Sequence, residues 1–206
     1  MDVPARRTLA GEGTGQLQER RSRFLALARP LSAEELEPWL SQLRSQHTDA
    51  RHIVHAWRGA QGQSRSSDDG EPSGTGGTPC HGALDRLGLV DSAVAVVRWY
   101  GGVPLGAANL ARAYGRAAQG ALAAAPVRVL LPGYAFRLLV PFWQMNAVQR
   151  HLNLLGAREV ERVRTEGGVG VSGWLPEQHA AALREAVADA TAGHGEVELA
   201  QGLIWR

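Results

Sequence analysis

Apolar residues recur along the first part of the chain in two rhythms, one of period two and one of a helical turn. Residues 20–28 (RRSRFLALA) read as a strand. Ser32 with Glu35 spells a capping box, and the helix it opens, over about residues 33–46, puts Leu36, Trp39, Leu40 and Leu43 on one face. Pro38 inside that pattern predicts a kink or a later start. Residues 51–58 (RHIVHAWR) alternate, with Ile53, His55 and Trp57 on one side and His52, Val54, Ala56 and Arg58 on the other, which predicts a half-buried strand. A short helix over 79–88, a strand over 92–100 and an alanine-rich helix over about 107–125 follow. The last carries Leu110, Tyr114, Ala117, Ala118, Ala121 and Leu122 on its apolar side. This order predicts an α/β or α+β domain in two layers, and α+β is the fold class expected for the chain.

Residues 126–133 read as a junction, and the pattern beyond them is separate. A strand over 134–140, a helix over 143–155 ended by Gly156, a hairpin of 157–164 and 169–175, a helix over 177–191 and a strand over 196–205 make βαββαβ, the ferredoxin-like arrangement. The expected division is an N-terminal extension over 1–18, a first domain over 19–128 and a smaller ferredoxin-like domain over 134–206. The second should fold by itself.

Composition removes several chemistries. All 22 basic residues are arginine, so a Walker A loop, a Schiff base and a lysine general base are excluded. Fourteen arginines face twelve acids before Pro126 and eight face eight after it, which is not the profile of a dedicated nucleic-acid binder. Any such role needs a local arginine patch. The single Cys80 excludes an internal disulfide and a cysteine-based zinc site. It reads as a small buried residue near a helix start. No run of eighteen apolar residues and no signal-type leader occurs, so a cytoplasmic location without membrane attachment is expected.

Candidate chemistry concentrates in residues 65–79 (RSSDDGEPSGTGGTP). Asp68, Asp69 and Glu71 can bind a cation or accept protons, while Gly70, Gly74, Gly76 and Gly77 free the backbone to approach a ligand. Thr78 and Pro79 look like an N-cap and a first helical residue, so the loop should end on a helix N-terminus suited to an anion. As exposed loop carboxylates, these acids should contribute little to folding, so that Asp69→Ala shifts stability by no more than about 1 kcal/mol. A second glycine cluster, Gly101, Gly102 and Gly106, joins a strand to a helix after Tyr100. Arg98 is expected to point outward near the strand end, and Arg112 and Arg116 share one helix face.

Other patterns fail on context. His52 and His55 point to opposite faces of a strand and cannot serve one ion without a bulge. Gly168, Gly170 and Gly173 match the G-x-G-x-x-G spelling but begin a hairpin strand, so a dinucleotide-binding turn is excluded. The six tryptophans are scattered over separate elements, as core and interface residues are.

Read together, the loops resemble the IMPACT/YigZ family. Arg21-Ser22-Arg23-Phe24 is similar to its basic entry strand, and Ala50-Arg51-His52 with Ala56-Trp57 to its next motif. The stretch from Asp68 to Thr75 is similar to its signature loop. Arg98-Trp99-Tyr100-Gly101-Gly102, Leu105-Gly106 and Leu110-Ala111-Arg112-Ala113-Tyr114 are similar to its glycine turn and helix. Thr78 stands where the family usually has lysine, and Ala107, Ala108 and Asn109 stand where the second loop usually carries a threonine and two glycines. The resemblance implies a first domain of the ribosomal protein S5 domain 2-like fold and a second similar to the last domain of elongation factor G. Eukaryotic relatives act in translational control. The expectation is therefore a non-catalytic binding protein of translation, with no cofactor and no DNA specificity. Its partner would be ribosome, RNA or a translation-regulatory protein. Arg51, His52, Asp68, Asp69, Gly70, Glu71, Ser73, Gly74, Thr75, Arg98, Tyr100, Gly101, Gly102, Gly106, Arg112 and Arg116 form the expected ligand or phosphate site. The competing expectation is a magnesium-dependent enzyme acting on a phosphate ester, with Asp68, Asp69 and Glu71 as metal ligands or base.

Overall fold

The computed structural model describes residues 5–205, with side chains described as far as Gly202. The described chain divides into two compact units, residues 6–129 and residues 130–205 together with Ala5. Both are mixed α/β structures built on antiparallel sheets.

The first unit carries a sheet in the order β2 (Gly13–Glu19), β3 (Ser22–Pro30), β6 (Ser92–Trp99), β4 (His52–Arg58), β5 (Ser64–Ser67). Every neighbouring pair is antiparallel. Residues 6–18, expected as an extension, belong to the unit. β1 (Arg6–Leu9) delivers fully buried Leu9 to the core, with the Leu9 amide donating to Ser92 Oγ, and β2 is the hairpin partner of β3. The glycines of β2 conceal this strand from a hydrophobic pattern. A Cβ at Gly15 would lie 2.6 Å from the Ala121 amide nitrogen and one at Gly13 2.2 Å from the Ala121 carbonyl, so the long helix rests directly on the β2 backbone.

Two apolar layers sandwich this sheet, where a two-layer domain was expected. Val54, Ala56, Val94 and Val96 face α2 (Gly77–Arg86) and α3 (Ala107–Ala124). Ile53, Trp57, Ala93, Ala95 and Val97 face α1 (Leu36–Gln46), which buries Leu36, Trp39, Leu40 and Leu43. β4 and β6 are therefore covered on both sides, which explains the near-continuous apolar run of β6. α1 starts at Leu36, so Pro38 sits in its first turn, where a missing N–H costs nothing. Of the capping box only one half forms: the Ser32 amide donates to Glu35 Oε2 at 2.8 Å.

The expected junction at 126–133 is strand from Val127 onward. β7 runs unbroken from Val127 to Val140. It is followed by α4 (Met145–Leu154), β8 (Arg158–Thr165), β9 (Gly168–Pro176), α5 (Ala180–Thr191) and β10 (Glu196–Trp205). The register gives the order β10-β7-β9-β8, all antiparallel. A core of its own joins Phe136, Leu138, Val140, Val171 and Leu175 to Val148, Leu152, Leu183 and Val187 of the helices.

Candidate functional site

The acidic loop starts where β5 ends, and its first feature is a turn. The Glu71 amide donates to the Asp68 carbonyl at 2.9 Å. The two residues between, Asp69 and Gly70, both have positive φ, of 46° and 83°. An Asp-Gly pair is the favoured solution for this mirror-image turn. The turn points the three carboxylates in three directions, and each one ends on groups of the protein.

Asp68 closes the loop on the start of α2. Its Oδ1 accepts from the Gly76 and Gly77 amides, each at 2.8 Å, and its Oδ2 from the Gly74 amide at 2.8 Å. Burial by itself would raise the Asp68 pKa, but the three N–H donors outweigh it and hold the carboxyl below the usual range. The helix begins at Gly77, with Gly76 at the cap position two residues before the expected Thr78. Its N-terminus does hold an anion, and the anion is Asp68. Gly76 is required by packing, since a Cβ there would lie 2.7 Å from Val54 Cγ2.

Asp69 ties the loop to two other elements. Its Oδ2 accepts from the Ile53 amide at 2.6 Å, and its two oxygens take a bidentate grip from Arg44 of α1, at 2.7 and 3.3 Å. Burial opposes ionisation, yet the Arg44 bond, the Ile53 N–H and the Arg44 charge lower the pKa. The Asp69 carbonyl accepts from His52 Nδ1 at 2.7 Å, which places the ring proton on that nitrogen.

Glu71 turns inward. Its side chain is only 4% exposed, and Oε1 accepts from Arg98 Nη1 at 2.5 Å and from the Tyr114 hydroxyl at 2.6 Å. His52 Nε2 lies 3.8 Å from Oε2. Arg98 does not point outward as expected. It stands in register with Phe24 on one side and His52 on the other, so all three share the face covered by α2 and α3. Its Nη2 donates to buried Ser22 Oγ at 3.2 Å. Burial, the Glu71 bond and the Glu71 charge push the Tyr114 pKa far up, so the hydroxyl is held as a donor. Burial likewise raises Cys80, which is an inert core residue.

The glycine turn after Tyr100 meets the β2–β3 hairpin. A Cβ at Gly101 would lie 1.9 Å from the Arg21 carbonyl, so this glycine admits a neighbouring backbone. Gly102 and Gly106 have positive φ, and Gly106 precedes the first residue of α3. Loop and turn are thus joined through Glu71, which bonds Arg98 just before the turn and Tyr114 on the helix after it. Thr75 is buried, its hydroxyl donating to the Pro72 carbonyl at 2.6 Å. Ser73 is exposed.

The remaining arginines differ from Arg98. Arg51, Arg112 and Arg116 are exposed. The Arg51 guanidinium lies 5.8 Å from the Tyr100 ring centroid, Arg112 donates to Asn109 Oδ1 at 2.5 Å, and Arg116 pairs with Glu19 at 3.4 Å. Among the described residues no group of three or more His, Cys, Asp or Glu side chains could hold a metal ion. Asp68, Asp69 and Glu71, the metal ligands of the competing expectation, are turned toward separate protein donors. Sequence reasoning missed Arg44 and Ser22 as partners of this network, and saw Tyr114 only as core. A buried tyrosine hydroxyl needs a partner, which was the available signal.

Residues 20–122 match the model of the Impact N-terminal domain. The chain belongs to the IMPACT family. An IMPACT family member from Thermus thermophilus is 41% identical over 141 residues, covering 68% of this chain and 75% of the relative. YigZ of Escherichia coli is 34% identical over 135 residues, 63% of this chain and 66% of its own. An IMPACT family member of Haemophilus influenzae is 33% identical over 138 residues, 64% of this chain and 66% of that protein. A crystal structure titled only as that of a hypothetical protein superposes with a TM-score of 0.70 at 26% identity, covering 96% of this chain and 97% of that one. The IMPACT assignment rests on the first unit, where the signature loop, the glycine turn and α3 all lie. Among the described residues, no helix is long and apolar enough to cross a membrane.

Proposed function

We propose that this IMPACT family member is a non-catalytic binding protein of translation or its regulation, acting in the cytoplasm on ribosomal or other RNA phosphate. The observation that carries this reading is the commitment of the signature loop. A phosphate-ester enzyme would need Asp68, Asp69 or Glu71 free to bind magnesium or take a proton. Instead Asp68 accepts three backbone amides, Asp69 accepts Arg44 and Ile53, and Glu71 neutralises Arg98. The signature is a brace for the first unit.

What remains available to a partner is cationic. Arg51, Arg112 and Arg116 stay exposed, whereas Arg98 is withdrawn from any phosphate role by burial and by Glu71. In this reading the first unit has the ribosomal protein S5 domain 2-like fold. The βαββαβ unit is ferredoxin-like, similar to the last domain of elongation factor G. That pairing favours a ribosomal partner.

Sedimentation of the full chain with ribosomes and separated subunits, at low and moderate salt, tests the proposal. Association that weakens steeply with salt and needs no magnesium-dependent turnover supports it. No association at any salt, together with magnesium-dependent phosphate release, refutes it.

A further inference from the structure

The β2–β3 hairpin and the start of α3 come from opposite ends of the first unit's sequence, and they meet. Arg20 at the hairpin tip has a φ of 52°, and its Nη1 donates to the Pro104 carbonyl at 3.0 Å. The Arg21 carbonyl abuts Gly101. Glu19, the residue before the tip, is the partner of Arg116. Arg112 lies one turn earlier on the same helix face. Two exposed arginines, Arg20 and Arg116, are therefore held by bonds that span more than eighty residues of sequence, with exposed Arg21 next to the first in the chain and exposed Arg112 next to the second on the helix face.

Their charges are largely uncompensated. Arg20 and Arg112 donate to neutral oxygens, and Arg21 makes no side-chain hydrogen bond or ion pair among the described residues. Only Arg116 faces a carboxylate, in an exposed pair at 3.4 Å that costs little to exchange. Holding like charges together without acids is unfavourable, and a polyanion relieves it. Beside this patch stands an aromatic ring. Tyr100 is 38% exposed, directly precedes Gly101, and has the Arg51 and Arg98 guanidinium groups 5.8 and 5.3 Å from its centroid.

We infer that the hairpin tip, the exposed face at the start of α3 and Tyr100 form a binding surface for single-stranded RNA. The inference rests on the proposed phosphate-binding role and adds its location and its ligand. Arg20, Arg21, Arg112 and Arg116 take successive phosphates, and Tyr100 stacks on a base. Guanidinium groups tracking a backbone beside an exposed aromatic are the usual means of holding single strands.

The test uses the full chain and a labelled uridine oligonucleotide of roughly 12 nucleotides, read by fluorescence anisotropy over a salt series. Arg20→Ala/Arg21→Ala should flatten the plot of log affinity against log salt by about 0.7 for each phosphate that the variant no longer neutralises. Tyr100→Ala should weaken binding about tenfold with the slope unchanged, because stacking releases no counterions. A double variant that binds with unaltered affinity and slope overturns the inference. So does a wild type that prefers duplex RNA of the same length while Tyr100→Ala has no effect. Sedimentation of the same proteins with ribosomes separates the two claims. Ribosome association retained without oligonucleotide binding overturns this surface alone, as does association that survives both the double variant and high salt, which marks a protein contact. Loss of ribosome and oligonucleotide binding in the wild type overturns the proposed function as well.

Discussion

Glu71 and Arg98 are twenty-seven residues apart in sequence and 2.5 Å apart in space, with side chains only 4% and 6% exposed. Tyr114 completes the arrangement from α3 by donating to the same carboxylate oxygen. A buried pair of this kind contributes less than its Coulomb attraction suggests, because both ions were desolvated to make it. Breaking it on one side is another matter.

Glu71→Ala leaves the Arg98 charge buried without a counterion and the Tyr114 hydroxyl without an acceptor. We expect a loss of about 3–5 kcal/mol by urea denaturation. Glu71→Leu combined with Arg98→Met should recover much of that loss. A single substitution that unfolds no earlier than the wild type would mean that the pair is not formed in solution.

Asp69 differs from the exposed loop acid that its sequence suggests. Asp69→Ala removes the Arg44 fork and leaves the Ile53 amide without its acceptor, so we expect a loss of about 2–3 kcal/mol, not the 1 kcal/mol or less of a surface residue. Arg44→Ala should cost less than Asp69→Ala, since it spares the Ile53 bond. Equal losses would locate the whole effect in the ion pair.

Acid should loosen the loop. Asp68 and Asp69 both have pKa values depressed by folding, so the unfolded chain binds protons more readily than the folded one. Their stabilisation is fully present above the unfolded carboxylate value, about 3.9, and is lost as pH falls below it through the folded values. Asp68→Asn and Asp69→Asn should each flatten the fall in stability between about pH 4 and the folded pKa values. Amide exchange at Gly74, Gly76 and Gly77, followed over the same range, identifies the Asp68 contribution. An acid limb identical in both variants would show that neither carboxylate supplies it.

Gly101→Ala places a methyl group against the Arg21 carbonyl, a clash between two backbones that no rotamer change relieves. The expected cost is about 1–3 kcal/mol, with weaker oligonucleotide binding because the hairpin tip is displaced. Gly102→Ala meets no neighbouring atom and tests positive φ alone. A Gly101→Ala protein as stable as wild type would mean that the hairpin yields freely.

Periodicity determined much of this protein. The faces of α1 and α3, the strands of the second unit and its βαββαβ order are properties of spacing, because burying one side of a helix or sheet requires apolar residues at fixed intervals. The β2 strand was invisible because two of its inward positions, Gly13 and Gly15, are glycines that admit α3, and a glycine carries no hydropathy signal. The family signature was legible as well, as a set of residue types in order. What tertiary structure alone decided is the use of those residues. Asp68, Asp69 and Glu71 are neighbours in sequence with the same chemistry, yet one caps α2, one holds α1 to β4 and one is buried against β6 and α3. Arg98 and Arg112 are equally basic, and only the first is enclosed. A carboxylate's role depends on which donors lie within about 3 Å, and those come from distant segments. Local spacing carries no record of them.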